Sequence, residues 1–260
     1  MKKKLLSIHR PKKNKFLNIE MFGHYLAGLI DGDGHIIKLG HIVIFFNLSD
    51  VRNAHQLRSR LKYGKIRSVK NKKAVNLIIS NKKGILLVAC LIKNKLKHLS
   101  KINQYNNRLV KLFNIEKTSL DNTINWNTPW FSGFFDADGY FKIYLLNRKN
   151  RINLEVRLLA QIDQKDKVLL SQIKSKFGGY LGYRKSQNTY YYSSVSFNAM
   201  FKLLTFFDTF NLQYYRTYLK YTILRKSYVI VQNNEHLKNS GQLKLEKYLK
   251  KLNKLVLKRL

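Results

Sequence analysis

Acidic residues are scarce in this chain: 14 Asp and Glu stand against 50 Lys and Arg in 260 residues, a net charge of +36. Such a field attracts polyanions and binds phosphates through counterion release. Cysteine is nearly absent. The single Cys90 cannot close an internal disulfide, and no Cys/His cluster has zinc spacing, so disulfide scaffolds and zinc modules are excluded. Within the apolar run from Ile85 to Ile92, Cys90 reads as a small core residue. No apolar stretch reaches membrane-spanning length, and the basic segment from Met1 to Lys15 lacks the continuous apolar core of a secretory signal, so no membrane partner is expected. Proline is scarce beside abundant Lys, Asn, Ile, Tyr and Phe, a bias that follows AT-rich coding DNA such as organelle genomes. What is present is enough apolar residue, 45%, for a globular core.

Two segments end in Asp-x-Asp-Gly. Leu26–Gly34 and Phe131–Gly139 align without a gap at a spacing of 138 − 33 = 105 residues. Two repeats of about a hundred residues follow, each large enough for a core. Residues 1–18 read as a basic arm, 19–115 as the first repeat, 116–127 as a polar linker, 128–235 as the second repeat and 236–260 as a basic C-terminal helix. In repeat one, periodicity predicts a helix from Ile19 to Ile30 and strands at Ile36–Leu39 and Ile42–Phe46. A helix capped by Asp50 and ended by Gly64 comes next, then strands at Lys65–Lys70 and Ala74–Ser80. Helices at Ile85–Leu96 and Ile102–Phe113 close it. Repeat two has a helix ending near Asp136 and a hairpin of Tyr140–Asn147 with Arg151–Gln161. A helix between Asp166 and Gly178-Gly179 follows, then strands at Tyr180–Lys185 and Tyr190–Phe197, then helices at Ala199–Phe207 and Tyr214–Val231. Both halves read αββαββα, an α+β fold. Leu245, Leu249, Leu252 and Val256 give the tail an amphipathic face suited to packing on the body, the alternative being a detached basic helix on nucleic acid.

The paired acids carry the chemistry. Asp33 and Asp138 fall at the negative ends of their helices, where a bare carboxylate is disfavoured. Two such acids side by side repel unless a cation lies between them. Small residues four apart, Gly28 and Gly32 in one helix, Gly133 and Ala137 in the other, allow the backbone approach that would bring the acids together. Magnesium suits one or two carboxylates completed by waters and phosphate, and it lowers the barrier to phosphodiester hydrolysis. A calcium loop does not fit, because its fifth position is His35 in one copy and Tyr140 in the other.

Leu26–Gly34 resembles the name-giving motif of the LAGLIDADG homing endonucleases, departing from it only at Gly32, and Phe131–Gly139 is a looser variant that keeps its Gly and both acids. The resemblance is to the single-chain, two-repeat form. It implies pseudo-two-fold repeats, two antiparallel sheets forming a DNA-binding saddle, and paired motif helices at the centre. It also implies a monomer, encoded in an organellar group I intron of mitochondrion or chloroplast, that cuts a long, mostly asymmetric double-stranded DNA site and leaves short 3′ overhangs. Carried over, Asp33 and Asp138 are metal ligands, assisted by the carbonyls of Gly32 and Ala137. Mg2+ or Mn2+ supports cleavage, and Ca2+ binds without it. Asp31 and Asp136 are structural. Gln164 matches the family's water-organising residue of repeat two, while Leu48 occupies that place in repeat one. Lys101 matches the basic position of repeat one, and Arg216, with Lys220 as alternative, that of repeat two.

A strand ribbon fits the major groove and exposes alternate residues. Tyr140, Lys142 and Tyr144, with Asn153, Glu155 and Arg157 across the turn, form such a set in repeat two. Lys38, Lys65, Arg67 and Asn76 are the candidates in repeat one, with Ile78 on the same face. Two other functions fit the fold: an RNA maturase that binds intron RNA, and a non-catalytic DNA-binding regulator. Retention of both Asp33 and Asp138 favours cleavage.

Overall fold

In the computed structural model, residues 5–13, 18–149, 153–194 and 196–257 are described. Parts of the expected arm (1–4 and 14–17), the hairpin residues Asn150, Arg151 and Ile152, Val195 of an expected strand, and the tail end 258–260 lie outside them. The chain packs as two units.

The first unit holds residues 15–138 and 212–215. Asn18 caps its first helix by accepting from the Glu20 N–H (2.7 Å), and α1 runs Ile19–Asp33, one turn beyond the apolar pattern. Strand β1 follows at once, Gly34–Ile36, and β2 is Ile42–Asn47. The expected strand Ile36–Leu39 is instead a turn: Ile37 N–H donates to His41 O and Gly40 N–H to Ile37 O, with Gly40 at φ 77°. Lys38 therefore sits exposed in a turn.

Asp50 stands at the N-cap of α2 (Val51–Leu61) but makes no capping hydrogen bond, and the helix ends on Lys62 at φ 61°, two residues before the expected Gly64. Strands β3 (Lys65–Ser68) and β4 (Ala74–Ile79) complete an antiparallel sheet of order β1-β2-β4-β3.

Asn81 caps α3, Lys82–Ile92. This helix buries Ile85, Val88, Ala89, Leu91 and Ile92, and Cys90 falls on its opposite side and is exposed rather than in the core. The expected helix Ile102–Phe113 is broken in type: α4 is Leu99–Gln104, a wider π turn spans Tyr105–Leu109, and α5 is Val110–Phe113. The 116–127 segment has no regular structure yet is tied down. Thr118 exchanges hydrogen bonds with Asn94 and Asn106, Asp121 pairs with Lys97, and Ile124 is buried. Helix α6, Trp130–Asp138, ends this part of the unit.

The second unit holds residues 139–211 and 216–257 with the described arm residues 5–13. Its strands are β5 (Gly139–Leu146) and β6 (Glu155–Gln164). Helix α7 (Lys167–Phe177) is capped by Asp166, which accepts from Val168 N–H, and is ended by Gly178 and Gly179 at φ 79° and 104°. Strands β7 (Tyr180–Arg184) and β8 (Thr189–Ser193) give the order β5-β6-β8-β7, the same as in the first sheet. Ser196 caps α8 (Phe197–Thr209), so β8 stops short of the expected Phe197. Helix α9 is Tyr215–Gln232 and α10 is Asn239–Leu257. The tail helix packs on β5 and buries Leu245 and Leu252. In the arm, Leu6 exchanges main-chain hydrogen bonds with the Gln232 amide, and Arg225 donates to the carbonyls of Ser7 and His9. The protein is thus an α+β fold of two αββαββα repeats, each with one four-stranded antiparallel sheet.

Candidate metal and nucleic-acid site

The site begins with the packing of α1 on α6. A Cβ on Gly28 would lie 1.9 Å from the Trp130 carbonyl oxygen, and one on Gly133 would lie 2.0 Å from the Tyr25 carbonyl oxygen. Only glycine permits this approach, and it does so at equivalent places, since 133 − 28 = 105. Near the helix ends, a Cβ on Gly32 would meet the Ala137 Cβ at 2.4 Å and the Asp138 Oδ2 at 2.7 Å. The two motif ends are in direct contact.

Both first acids are buried, Asp31 at 1% and Asp136 at 2% exposure. Asp31 accepts from the N–H groups of Lys97 (2.7 Å) and His98 (3.2 Å) and from Trp130 Nε1 (2.8 Å). Asp136 accepts from the N–H groups of Gln213 (2.7 Å) and Tyr214 (3.1 Å) and from the Tyr25 hydroxyl (2.8 Å). Each acid anchors the segment entering the closing helix of its repeat, and each is held by an aromatic donor from the other motif helix. Burial pushes the Asp31 carboxyl up to about 7, against the pull of its hydrogen bonds. Tyr25 and Trp130 were invisible as polar partners in the sequence, where they read as part of an apolar helix face. Their spacing, 130 − 25 = 105, is the signal that pairs them.

The second acids are half-buried and end their helices. Lys101 donates its ammonium to the Gly34 carbonyl and feels Asp31, Asp138 and Asp33, which oppose the lowering of its pKa by burial. One lysine thus shares the field of both second acids. The Tyr214 phenol lies in the same field: burial, then Asp33, Asp136, Asp50 and Asp138, raise its pKa well above the ordinary value. Among the described residues no cluster of three or more His, Cys, Asp or Glu could hold a metal. The donor set present, two carboxylates at touching helix ends, fits a hard cation that completes its shell with waters and phosphate oxygens, not zinc.

Gln164 ends β6, half-buried and paired with Tyr190. The repeat-two basic position is defined by the acid anchors. Lys101 is four residues after Lys97, and four residues after Gln213 stands Thr217. Arg216 precedes it, half-buried with Nη1 lacking a partner, and Lys220 follows one turn on, buried.

The strand candidates align as the alternation predicts: Lys65 pairs with Ile78, Arg67 with Asn76, and Tyr144 with Arg157. Lys65, Arg67, Lys142, Tyr144, Asn153 and Arg157 are exposed, and Asn76 and Tyr140 are half-buried. Glu155 is clamped by Arg148 and Arg157. One group on this face escaped sequence reasoning, which stopped β6 at Gln161. The Gln161 amide donates to Asp163 (2.8 Å), Arg184 donates to the same carboxylate (2.8 Å), and its guanidinium lies 4.7 Å from the Tyr191 ring centre. Extending the period-two pattern to Asp163 would have found it.

The sequence pattern of the LAGLIDADG endonuclease family matches residues 131–228. The "uncharacterized cox1 intron-2 37.2 kDa protein" of Schizosaccharomyces pombe is 44% identical over 261 residues, covering 96% of this chain and 79% of that protein. Two proteins of Saccharomyces cerevisiae are also similar, the intron-encoded RNA maturase bI4 (26% over 184 residues) and the intron-encoded DNA endonuclease aI3 (30% over 165 residues). Those matches cover 67% and 53% of this chain but only 27% and 40% of those proteins. The fold is that of the LAGLIDADG meganuclease I-CpaMI, solved bound to uncleaved DNA, with a TM-score of 0.69 at 17% identity over 89% of this chain and 99% of that one. Identity sustained across nearly the whole chain, together with the family match on the second repeat, leaves one reading of descent: this chain belongs to the LAGLIDADG endonuclease family.

Proposed function

We propose that the protein is a monomeric, site-specific double-strand DNA endonuclease encoded by an organellar intron. The observation that carries this reading is the contact of the two motif ends, which brings Asp33 and Asp138 under the influence of one lysine. Asp33 and Asp138 would hold Mg2+ or Mn2+, with Ca2+ binding but not supporting cleavage. Bound there, the metal supplies charge neutralisation at the phosphate and an acidified water. The chain's own groups do the rest. Asp31 and Asp136 fix the helix ends, and Lys101 offers an ammonium for charge developing on phosphate oxygens. The exposed strand residues, from Lys65 and Arg67 to Lys142 and Arg157, would follow the groove of a long asymmetric target, and cutting would leave short 3′ overhangs. The test is incubation of the protein with Mg2+ and a duplex carrying the intronless junction of the flanking exons. A discrete double-strand cut at the junction is the expected product, and an uncut duplex that is nonetheless bound would move the reading to a non-catalytic DNA binder. The likeness to a maturase motivates one companion assay, splicing of the host intron RNA with and without protein.

A further inference from the structure

Repeat one has no polar side chain where repeat two has Gln164. The sheet register puts Phe46 there rather than the expected Leu48: Gly34 pairs with Ile44 as Gly139 pairs with Ile162, so Gln164 answers to Phe46. A residue from beyond the second sheet reaches the same part of the molecule, because residues 212–215 pack in the unit that contains α1 and β2. The Asp136 carboxylate fixes the Tyr214 backbone, and the Tyr214 ring lies against Phe46 itself with centroids 5.6 Å apart. The residue is 7% exposed, and its hydroxyl is buried without a hydrogen-bond partner. A buried hydroxyl left so is a costly defect unless a water or ligand completes it. Of the four carboxylates whose charge bears on it, Asp33 comes first.

The counterpart of Tyr214 shows the reverse arrangement. Asp31 receives His98 N–H as Asp136 receives Tyr214 N–H, which makes His98 the equivalent residue. The His98 ring is turned to its own helix, where Nδ1 accepts from Ser100 N–H at 3.3 Å. Repeat two thus has Gln164 at its own position, while repeat one has Phe46 there, packed against the Tyr214 of repeat two whose hydroxyl is open. We propose that the Tyr214 hydroxyl holds a water against the Asp33 carboxylate, supplying from repeat two the water-positioning group that repeat one lacks. The proposal rests on the endonuclease reading.

Tyr214→Phe removes only the oxygen that has no protein partner, so the free variant is expected to melt no lower than the wild type, and a lower melting temperature would make Tyr214 structural and overturn the proposal. In single-turnover, strand-labelled reactions with Mg2+, the variant should slow one strand by about 10²–10⁴-fold. That strand is the one Gln164→Ala leaves nearly unchanged, and binding of the duplex in Ca2+ should stay at the wild-type level. Unchanged rates, equal loss on both strands, or loss on the strand that Gln164→Ala slows would each overturn it. A wild-type protein that cuts neither strand would instead sink the endonuclease reading, and a second readout then decides on Tyr214. In protein carrying carbon-13 at tyrosine Cζ, the Tyr214 resonance is assigned by its loss in Tyr214→Phe. It should shift when Ca2+ is added to the DNA complex of the wild type and hold still in Asp33→Asn. A resonance indifferent to Ca2+ in the wild type rules the contact out.

Discussion

Two aspartates of the same motif, two positions apart, have opposite fates. Residues separated by two on a helix point about 200° apart, so one acid of each pair turns inward and the other toward the helix end. Asp31 and Asp136 are buried and each accepts three hydrogen bonds, whereas Asp33 and Asp138 stay half-exposed in the field of Lys101. Asp33→Asn and Asp138→Asn each keep the shape and remove a charge that a hard cation needs. Each should abolish double-strand cleavage and leave duplex affinity in Ca2+-free buffer within a few-fold of wild type, as gel shifts and plasmid linearisation would measure. Full cleavage by either variant would end the shared-site reading. The second acids were legible in the sequence because a charge at the end of an apolar run is conspicuous. Tyr25 and Trp130 were not, because an aromatic ring satisfies hydrophobic periodicity whether or not its polar atom has a partner. Thr217 was missed for another reason: only the backbone anchors on Asp31 and Asp136 define which residue stands opposite Lys101.

At the scale of elements, the pairing of α1 with α6 depends on the absence of two methyl groups. Gly28→Ala would drive a carbon into the Trp130 carbonyl, and Gly133→Ala would do the same to Tyr25. Backbone cannot yield as a flexible side chain can, so each substitution should cost about 3 kcal/mol, the upper end of ordinary overpacking. Urea unfolding monitored by tryptophan fluorescence would show it as an earlier midpoint, and an unchanged midpoint for both would mean that the helices do not pack this closely. Strands were readable from alternation, and the Lys65–Ile78 and Arg67–Asn76 pairs follow from it. Boundaries were less so. Strand β1 starts directly at Gly34 because α1 runs to Asp33, and its short length leaves no alternation to read. The π turn at Tyr105–Leu109 adds a fraction of a turn, too little to disturb an apolar pattern over ten residues. Cys90 was misplaced because a run of apolar residues in a helix must spend some on the outer side.

For the whole molecule, the surplus of basic residues is mostly uncompensated. Glu155 is held between two arginines and Asp208 is paired with Arg225, so part of the small acidic complement is engaged within the fold. Binding to duplex DNA should therefore fall steeply with salt, by roughly a hundredfold or more between 50 and 200 mM. Titrations by fluorescence anisotropy across that range would show it, and a flat response would remove nucleic acid as the main partner. The hydrogen bonds between the motif helices have a different kind of consequence. Each helix carries both an aromatic donor and the acid that receives one from its neighbour. Either helix is therefore complementary to a copy of itself. A joint between two identical chains could be closed by the same pair of hydrogen bonds, given the same close-packing glycine. Halves taken from different relatives should join wherever both residues of this handshake and the close-packing glycines are kept.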